Sequence, residues 1–488
     1  MAAAPDDPVL AGVDVGTTNT KVGAYRTDGS RLAARAWPTP GDAGDLVAAV
    51  LAALGSVAEQ AGRAPAAVGV ASMAESGVTV DRDLAPQHPI VGWRDPRGAD
   101  AARRLSAELG EQAVFEVTGV SLAAKTPLAR WRWLADTHPG LLADGRCWLG
   151  AADLVASALV GAPVTDVTMA GRTGALDLRT GGYHPDLLAA AGISAAQLPR
   201  VAEPGRPAGR LTASAAGSCG LPAGLPVVVA GHDHLVAAYA AGARRGGDQM
   251  DSLGTAEAFI TVTDRPPGAA TAGTGLSWNR FVDGSRYCLV SGFPGAGRLV
   301  GWFMERHLGL PAGAGYARFT ALAESATERP TGIVVEPYLS GRGAPAPDPA
   351  RRFAVHGMQP RHTAADLALA LLEGLSMHVR WMAGGHGPPT RGRVVAAGGP
   401  TRNRAWMRVK AAVGPSALAV VDDPDAACAG AALLAARSGL GMAPPPLAAT
   451  PLRPDPQESA RYDDLYRDRF LPAVTGARCP PEHCPEVS

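Results

Sequence analysis

Residues 9–25 have the sequence VLAGVDVGTTNTKVGAY, an apolar run that is interrupted at Gly16-Thr17-Thr18-Asn19 and then resumes. Glycine and small polar residues between two β-prone runs predict a hairpin with a tight turn. Residues 250–264, MDSLGTAEAFITVTD, repeat this pattern around Gly254-Thr255, roughly half of the 488-residue chain later. The repeat predicts two domains of similar architecture, each offering a Gly-Thr turn to a shared cleft.

The rest of the chain alternates helical and strand-like segments. Residues 46–62, LVAAVLAALGSVAEQAG, have the apolar spacing of a helix, and residues 225–231, LPVVVAG, are typical of a buried strand. This alternation predicts the α/β class. We expect an N-terminal domain over residues 1–243 and a C-terminal domain over 244–475. Residues 476–488, which end in ARCPPEHCPEVS and show no periodicity, are expected to form a flexible tail.

Composition narrows the classes of partner. Hydrophobic residues make up 47% of the sequence, charged residues 18%, and the formal net charge is zero. Nucleic acid and anionic membranes favour basic patches, so small molecules are the expected partners. The start of the chain lacks the features of a secretion signal, and no uncharged apolar run is long enough to span a membrane. The six scattered cysteines are typical of reduced thiols, which predicts a cytoplasmic protein.

The first turn has the features of a phosphate site. Gly16 permits close backbone approach, while Thr17 and Thr18 supply hydroxyl groups and Lys21 adds positive charge. Asp14, at the end of a strand beside this turn, is suited to hold Mg²⁺ through water. Asp14 capping the turn is the structural alternative. The chain contains no GxxxxGK[ST] motif and no GxGxxG motif after a strand, so the phosphate site must be hairpin-based.

From about Val9 to Leu440, the chain contains a series of segments that resemble, in the same order, motifs of the FGGY carbohydrate kinases. This family has the actin-like ATPase fold. Trp93, Asp95 and Arg97 resemble the Trp-x-Asp-x-Arg pattern of that family. The resemblance implies two actin-like (ribonuclease H-like) domains that flank a catalytic cleft. The matching segments are VDVGTTNTK, GWRDPRG, TDVTMAGRT, VVVAGHDHLVAAYAAG, DSLGTAE, EPYLSGR, VHGMQPRHTAADLALALLEG, AAGGPTRNRAWM and DPDAACAGAALLA.

The resemblance implies that Asp233, after the strand LPVVVAG, is the general base and, with Asp14, a ligand of Mg²⁺ through water. A carboxylate in this position can accept the proton of an attacking hydroxyl group. The alternative is an N-cap aspartate, and both roles are compatible. His232 and His234 flank it without a third ligand in view, which favours a structural role over a metal site. The tail residues Cys479, His483 and Cys484 lack a companion pair for zinc.

The resemblance also implies the nucleotide and acceptor sites. The second phosphate site is assigned to Gly254, Thr255 and Gly297, and the adenosine site to Gly398, Gly399 and Asn403. A strand–helix loop with glycines for packing is the alternative for the adenosine segment. The acceptor site is assigned to Ala74, Glu75, Trp93 and Lys125, together with Asp233.

Residues 68–81, VGVASMAESGVTVD, here called the acceptor loop, align with the substrate loop of the family but match neither of two patterns found there. Ala74-Glu75 stands where glycerol kinases have Arg-Glu and xylulokinases have Met-His, and the missing arginine argues against glycerol. Glu75 is expected to accept hydrogen bonds from sugar hydroxyls, and Lys125 to bind a carbonyl, hydroxyl or carboxylate group. Arg130, Met169 and Asp425 are further departures, which leave the sub-family open.

We therefore expect ATP- and Mg²⁺-dependent phosphorylation of a hydroxyl group on a small sugar, such as a pentulose, or on a polyol. In this interpretation the protein is a phosphotransferase with an alcohol acceptor. It binds neither nucleic acid nor membranes, and a homodimer is left open. The alternatives are an actin-like or chaperone-like ATPase and a sugar-responsive protein without catalysis.

Overall fold

The computed structural model of the protein describes residues 7–266, 268, 271–311 and 313–476. All but the first residue of the predicted tail, 476–488, lies outside the described residues. The described strands are β1 Leu10–Val15, β2 Asn19–Tyr25, β3 Arg31–Pro38, β4 Ala67–Ser72, β5 Gly77–Val80, β6 Cys147–Gly150, β7 Val164–Thr165, β8 Arg200–Val201, β9 Gly209–Arg210, β10 Pro226–His232, β11 Gln249–Leu253, β12 Glu257–Thr263, β13 Leu276–Arg280, β14 Tyr287–Phe293, β15 Val334–Glu336, β16 Ala354–His356, β17 Arg393–Ala397, β18 Ala417–Val421 and β19 Ala449–Leu452.

The α-helices in the same ranges lie between these strands and after them. They are α1 Ala43–Gln60, α2 Ala99–Leu109, α3 Glu111–Thr118, α4 Pro127–Thr137, α5 Ala151–Val160, α6 Val167–Gly171, α7 Pro185–Ala190, α8 Ala213–Cys219, α9 Asp233–Ala240, α10 Ala296–His307, α11 Gly315–Glu324, α12 Ala364–Gly384, α13 Arg404–Val413, α14 Ala426–Leu440, α15 Pro456–Leu465 and α16 Leu471–Thr475.

Two large sheets repeat one plan. The first has the strand order β3-β2-β1-β4-β10-β9, and the second has the order β13-β14-β12-β11-β17-β18-β19. In each, a hairpin of antiparallel strands (β1 with β2, β11 with β12) is followed by parallel strands (β4 and β10, β17 and β18). Both hairpins predicted from the Gly-Thr repeat are thus present in the structure.

Helix α14, from the second half of the chain, packs against the sheet of the first half. A Cβ atom on Gly12 of β1 would overlap the carbonyl oxygen of Cys428, and one on Gly69 of β4 would overlap that of Ala431. Glycine therefore permits the close approach of helix and sheet at these two positions. As a result, Asp425 at the start of α14 lies beside the first hairpin.

Helix α1 is long and apolar enough to span a membrane by length and composition alone. Its buried residues, among them Leu46, Val50 and Leu54, belong to the same core cluster as Val13 and Val70 of the first sheet. The core helices of globular domains pass the same test. The cysteines of the described ranges, Cys147, Cys219, Cys288 and Cys428, are buried free thiols.

The second sheet contains a buried ionic cluster. The ammonium group of Lys410 on α13 lies 2.7 Å from Asp251 Oδ2 on β11 and also contacts Glu257 on β12. All three side chains are at most 4% exposed. Burial opposes the charged form of Lys410, yet the two carboxylates raise its pKa. The cluster fastens α13 to the strands on both sides of the second Gly-Thr turn.

We expect Lys410→Met to lower the free energy of unfolding by about 3–5 kcal/mol, because it leaves two carboxylates buried without a cation. Urea unfolding monitored by tryptophan fluorescence measures this change. Arg103→Met, which removes an exposed ion pair with Asp100, is the control and should cost about 1 kcal/mol or less. Equal stability of the two variants would contradict a structural role for the cluster.

Candidate functional site

The two Gly-Thr turns meet across the cleft. Thr18 Oγ1 of the first turn lies 3.3 Å from Thr255 Oγ1 of the second. The Gly16 N–H donates to Asn19 O at 3.1 Å, and the Gly254 N–H donates to Ala256 O at 2.8 Å. The structure therefore brings together the two segments to which the sequence assigned phosphate binding.

Helix α10 braces the second turn. The N–H groups of Gly297 and Arg298 donate to the carbonyl oxygens of Gly254 and Thr255 at 3.2 and 3.1 Å. A Cβ atom on Gly297 would lie 2.5 Å from Gly254 O, so the contact requires glycine. The sequence-predicted residue Gly297 thus lies directly against the second turn.

The predicted adenosine segment adjoins the same turn. Gly398 has φ +118°, and a Cβ atom there would overlap Leu253 O at the end of β11. Gly399 is exposed and begins a short 3₁₀ turn, Gly399–Arg402. Asn403 caps α13, because its side-chain oxygen accepts from the Trp406 N–H at 3.0 Å. The helix cap uses only the side-chain oxygen of Asn403 and not its amide nitrogen.

Asp14 and Asp233 form the acidic centre of the cleft. Burial raises the pKa of Asp14 to about 7, and repulsion by Asp233 adds to the effect. Burial likewise raises the pKa of Asp233 to about 7. Asp233 is the first residue of α9, and Oδ1 accepts from the adjacent His234 N–H at 2.7 Å. The N-cap residue of α9 is His232, one residue earlier than the alternative for Asp233 required, so that alternative is wrong.

Two histidines flank this carboxylate. His232, Asp233 and His234 each place a ligand atom within 4.8 Å of the others. His234 Nδ1 is 2.8 Å from Ser252 Oγ on β11, which ties the start of α9 to the second sheet. Burial lowers the pKa of both imidazoles, to about 4 for His234.

Lys21 lies at this centre but has a partner of its own. The ammonium group donates to Asp425 Oδ1 at 2.7 Å, and Arg31 binds the other oxygen of that carboxylate at 2.8 Å. Burial opposes its charge, but Asp14 and Asp425 raise the pKa of Lys21. Asp425, one of the departures from the family pattern, thus lies within the site, in an ion pair between β2 and the start of α14.

The predicted acceptor loop presents a carboxylate held by two cations. Glu75 has φ +66°, an unusual backbone conformation for a side chain of this size. Lys125 Nζ lies 3.0 Å from Glu75 Oε2, and the guanidinium of Arg172 binds Oε1. Burial alone would raise the pKa of Glu75, but these cations hold it at about 2. Lys125 is the most accessible of the three residues, with 42% of its side chain exposed to solvent.

The other two predicted acceptor residues differ in their placement. Trp93 lies between the sites: its indole N–H donates to Thr17 Oγ1 of the first turn at 2.9 Å, and its backbone N–H donates to Ser76 Oγ at 2.9 Å. Ala74, in contrast, is buried in the core of the first sheet, and its methyl side chain has no polar group for a ligand. The loop is held from behind by Arg130, which donates to Gly92 O at 2.7 Å and contacts Glu75 O.

Sequence reasoning missed Arg172. It lies in the segment TDVTMAGRT, whose resemblance extends over the whole motif and assigns no function to the arginine. Only 7% of Arg172 is exposed, and a buried arginine needs a carboxylate partner, which here is Glu75. Both carboxylate oxygens of Glu75 already bind a cation. An acceptor hydroxyl group that reaches Glu75 would therefore lie beside Lys125 as well.

Comparisons with known proteins agree with these features. Two models match the chain: "FGGY family of carbohydrate kinases, N-terminal domain" over residues 9–240 and "FGGY family of carbohydrate kinases, C-terminal domain" over 250–439. The solved xylulose kinase from Rhodospirillum rubrum has a TM-score of 0.83 at 27% identity, and the similarity covers 96% of this chain and 99% of that one.

Curated relatives differ in how much of each chain is aligned. The L-fuculokinase of Salmonella typhi is 34% identical over 191 residues, 39% of this chain and 40% of that protein. The chain thus spans about two fifths of the length of the curated fuculokinases it matches. The gluconokinase of Bacillus licheniformis is 22% identical over 87% of this chain and 86% of its own length.

Proposed function

The chain belongs to the FGGY family of carbohydrate kinases, and on that premise we propose that it transfers the γ-phosphoryl group of ATP to a hydroxyl group of a small ketose or polyol. The family and the two-domain actin-like fold expected from the sequence are confirmed.

One observation carries the proposal. The electrostatic environment of Asp233 contains both Lys21, beside the first phosphate turn, and Glu75, in the acceptor loop. The carboxylate is thus close to both groups of residues that a phosphoryl transfer has to connect. Kinases need this arrangement because catalysis of the transfer is mostly positioning and neutralisation of charge.

The proposed chemistry is a direct transfer. Asp233 accepts the proton of the acceptor hydroxyl as the oxygen attacks the γ-phosphorus, and the bond from that phosphorus to the bridging oxygen of ADP breaks. The turns at Gly16 and Gly254 bind phosphate oxygens through backbone N–H and threonine hydroxyl groups. Adenosine binds along Gly398, Gly399 and Asn403.

The donor set suits a divalent cation. Asp14 Oδ1 is buried without a hydrogen-bond partner, and the neighbouring Asp233 adds a second carboxylate. Oxygen ligands of this type are those that Mg²⁺ prefers. Asp14 and Asp233 would hold the ion through water, and its charge would help to neutralise the phosphates. Asp14 is the second-last residue of β1, two residues before Gly16 of the first turn.

An acceptor screen tests the proposal. ADP release from Mg·ATP is measured with pentuloses, hexuloses, tetritols, pentitols and sugar acids. We expect release to rise strongly with members of one class and to remain low without an acceptor. Release that is independent of every acceptor would instead favour the ATPase alternative, and no release with any of them would favour a sugar-responsive protein without catalysis.

Lys125→Met tests the acceptor site. Lys125 is the more accessible of the two cations that bind Glu75, so we expect the KM for the sugar to rise about 10-fold or more, as for loss of a charged hydrogen bond. The KM for ATP should change little, because the phosphate and adenosine segments do not include this residue. Steady-state kinetics with each substrate varied in turn gives both constants.

Arg104→Met is the matched control for this variant. It removes a cation from an exposed ion pair with Asp136 on the same half of the chain. Neither KM should change in the control. A rise in the ATP constant alone for Lys125→Met would contradict the assignment, because the loop would then face the nucleotide.

A further inference from the structure

Arg172 connects the two halves of the molecule through a single guanidinium group. Nε donates to Glu75 Oε1 at 3.1 Å, and Nη2 contacts the same oxygen. Nη1 donates to Ser277 Oγ at 3.0 Å. Ser277 lies on β13 of the second sheet, whereas Glu75 belongs to the first half. The candidate acceptor carboxylate is thereby linked to the opposite half of the cleft.

The residues just before Arg172 make a second connection. Residues 166–172, here named the α6 segment, hold Thr168, whose hydroxyl oxygen accepts from the His232 N–H at 2.9 Å. The Thr168 carbonyl oxygen accepts from Asn279 Nδ2 at 2.9 Å, and Asn279 is also on β13. One short segment therefore bonds to the residue before Asp233 and to the second sheet.

The packing of the α6 segment leaves little room for independent movement. Asp166 accepts from Thr168 Oγ1 at 3.0 Å and from the backbone N–H groups of Thr168 and Met169. A Cβ atom on Gly231 would overlap Thr168 Oγ1, and one on Gly171 would overlap Asn279 Oδ1. The planar guanidinium of arginine has a fixed hydrogen-bond geometry. If Arg172 moved with one of its two partners, its hydrogen bond to the other would weaken.

We propose that the α6 segment couples occupancy of the acceptor site to closure of the two halves, with Arg172 as the positioning residue. When the acceptor fixes Glu75 and Lys125, Arg172 is fixed in the orientation that bonds to Ser277. The closed arrangement, which also brings the two Gly-Thr turns together, is then favoured. Acceptor and nucleotide thus bind with positive coupling, which requires contacts that differ between the open and closed states. This inference rests on the proposed kinase function.

The test measures that coupling directly. The acceptor is the compound with the highest kcat/KM in the ADP-release screen, and the nucleotide probe is adenylyl imidodiphosphate with Mg²⁺. Calorimetry gives the Kd of the nucleotide with and without acceptor, and the ratio is the coupling factor. We expect Ser277→Ala to reduce this factor by about 10-fold or more, the range for one hydrogen bond with a charged donor. The Kd of the acceptor without nucleotide should stay within about twofold, because the Glu75 ion pairs remain.

Arg280→Gln is the matched control. Arg280, also on β13, donates to the carbonyl oxygens of Leu178 and Arg179 across the same interface but does not bond to Glu75. The coupling factor of Arg280→Gln should equal that of the wild type. Arg172→Lys keeps a positive charge beside Glu75 but removes the Nη1 group that donates to Ser277. It should lower the coupling factor as Ser277→Ala does. Thermal melts check that each variant is folded.

The outcomes separate this inference from the proposed function. Absence of ADP release with every acceptor would overturn both. ADP release with the same coupling factor in Ser277→Ala and the wild type would overturn the coupling alone. An equal loss in Arg280→Gln would also overturn it, because the effect would then reflect general weakening of the interface.

Discussion

Replacing Asp233 with asparagine is expected to lower kcat by about 10²-fold or more, the usual range for removal of a positioned general base. Asparagine keeps the shape of the side chain and an oxygen that can accept from the His234 N–H. It cannot take the proton of the acceptor hydroxyl. The Kd for ATP, measured by calorimetry, should remain within a few-fold of the wild-type value, since the phosphate turns are unchanged.

The control for this variant is Asp83→Asn, which changes an exposed carboxylate in the same half of the chain. It should have normal kcat. Near-normal turnover of purified Asp233→Asn would contradict the role of general base, and a large loss of ATP affinity would indicate that the carboxylate acts through the nucleotide instead.

Gly254→Val is expected to abolish detectable kinase activity. A Cβ atom at this position would have a single close neighbour, Ala256 O at 3.2 Å, so the added side chain has room at the turn itself. There it would keep phosphate oxygens away from the backbone N–H groups that the proposal assigns to them. The fold should be less affected, because the remaining space around the side chain is open.

Thermal unfolding with and without Mg·ATP separates these two effects. We expect Gly254→Val to lose most of the stabilisation by nucleotide while its melting temperature without nucleotide changes less. Gly217→Val on α8, where a Cβ atom meets nothing within 4 Å, is the control and should keep both activity and nucleotide stabilisation. Equal stabilisation of Gly254→Val and wild type by nucleotide would argue against the second turn as a phosphate site.

The local patterns of the sequence were sufficient for the fold and the family. The Gly-Thr turns at Gly16 and Gly254 predicted two equivalent hairpins, because a glycine between β-prone runs acts through the backbone of its immediate neighbours. The role proposed for Asp233 came from the resemblance to the family, and its position directly after the buried strand β10 is in keeping with that proposal. The ordered motifs added the family, which the two family models confirm.

The tertiary structure alone determined which side chains meet. Glu75, Lys125 and Arg172 come from three separate segments, so no local pattern indicated that both oxygens of Glu75 are already bound. The contact of Lys21 with Asp425 likewise joins residues from opposite halves of the chain and follows from the packing of α14 against the first sheet. Ion pairs depend on distance in space and on burial, which are set by the packing of whole elements and not by sequence separation.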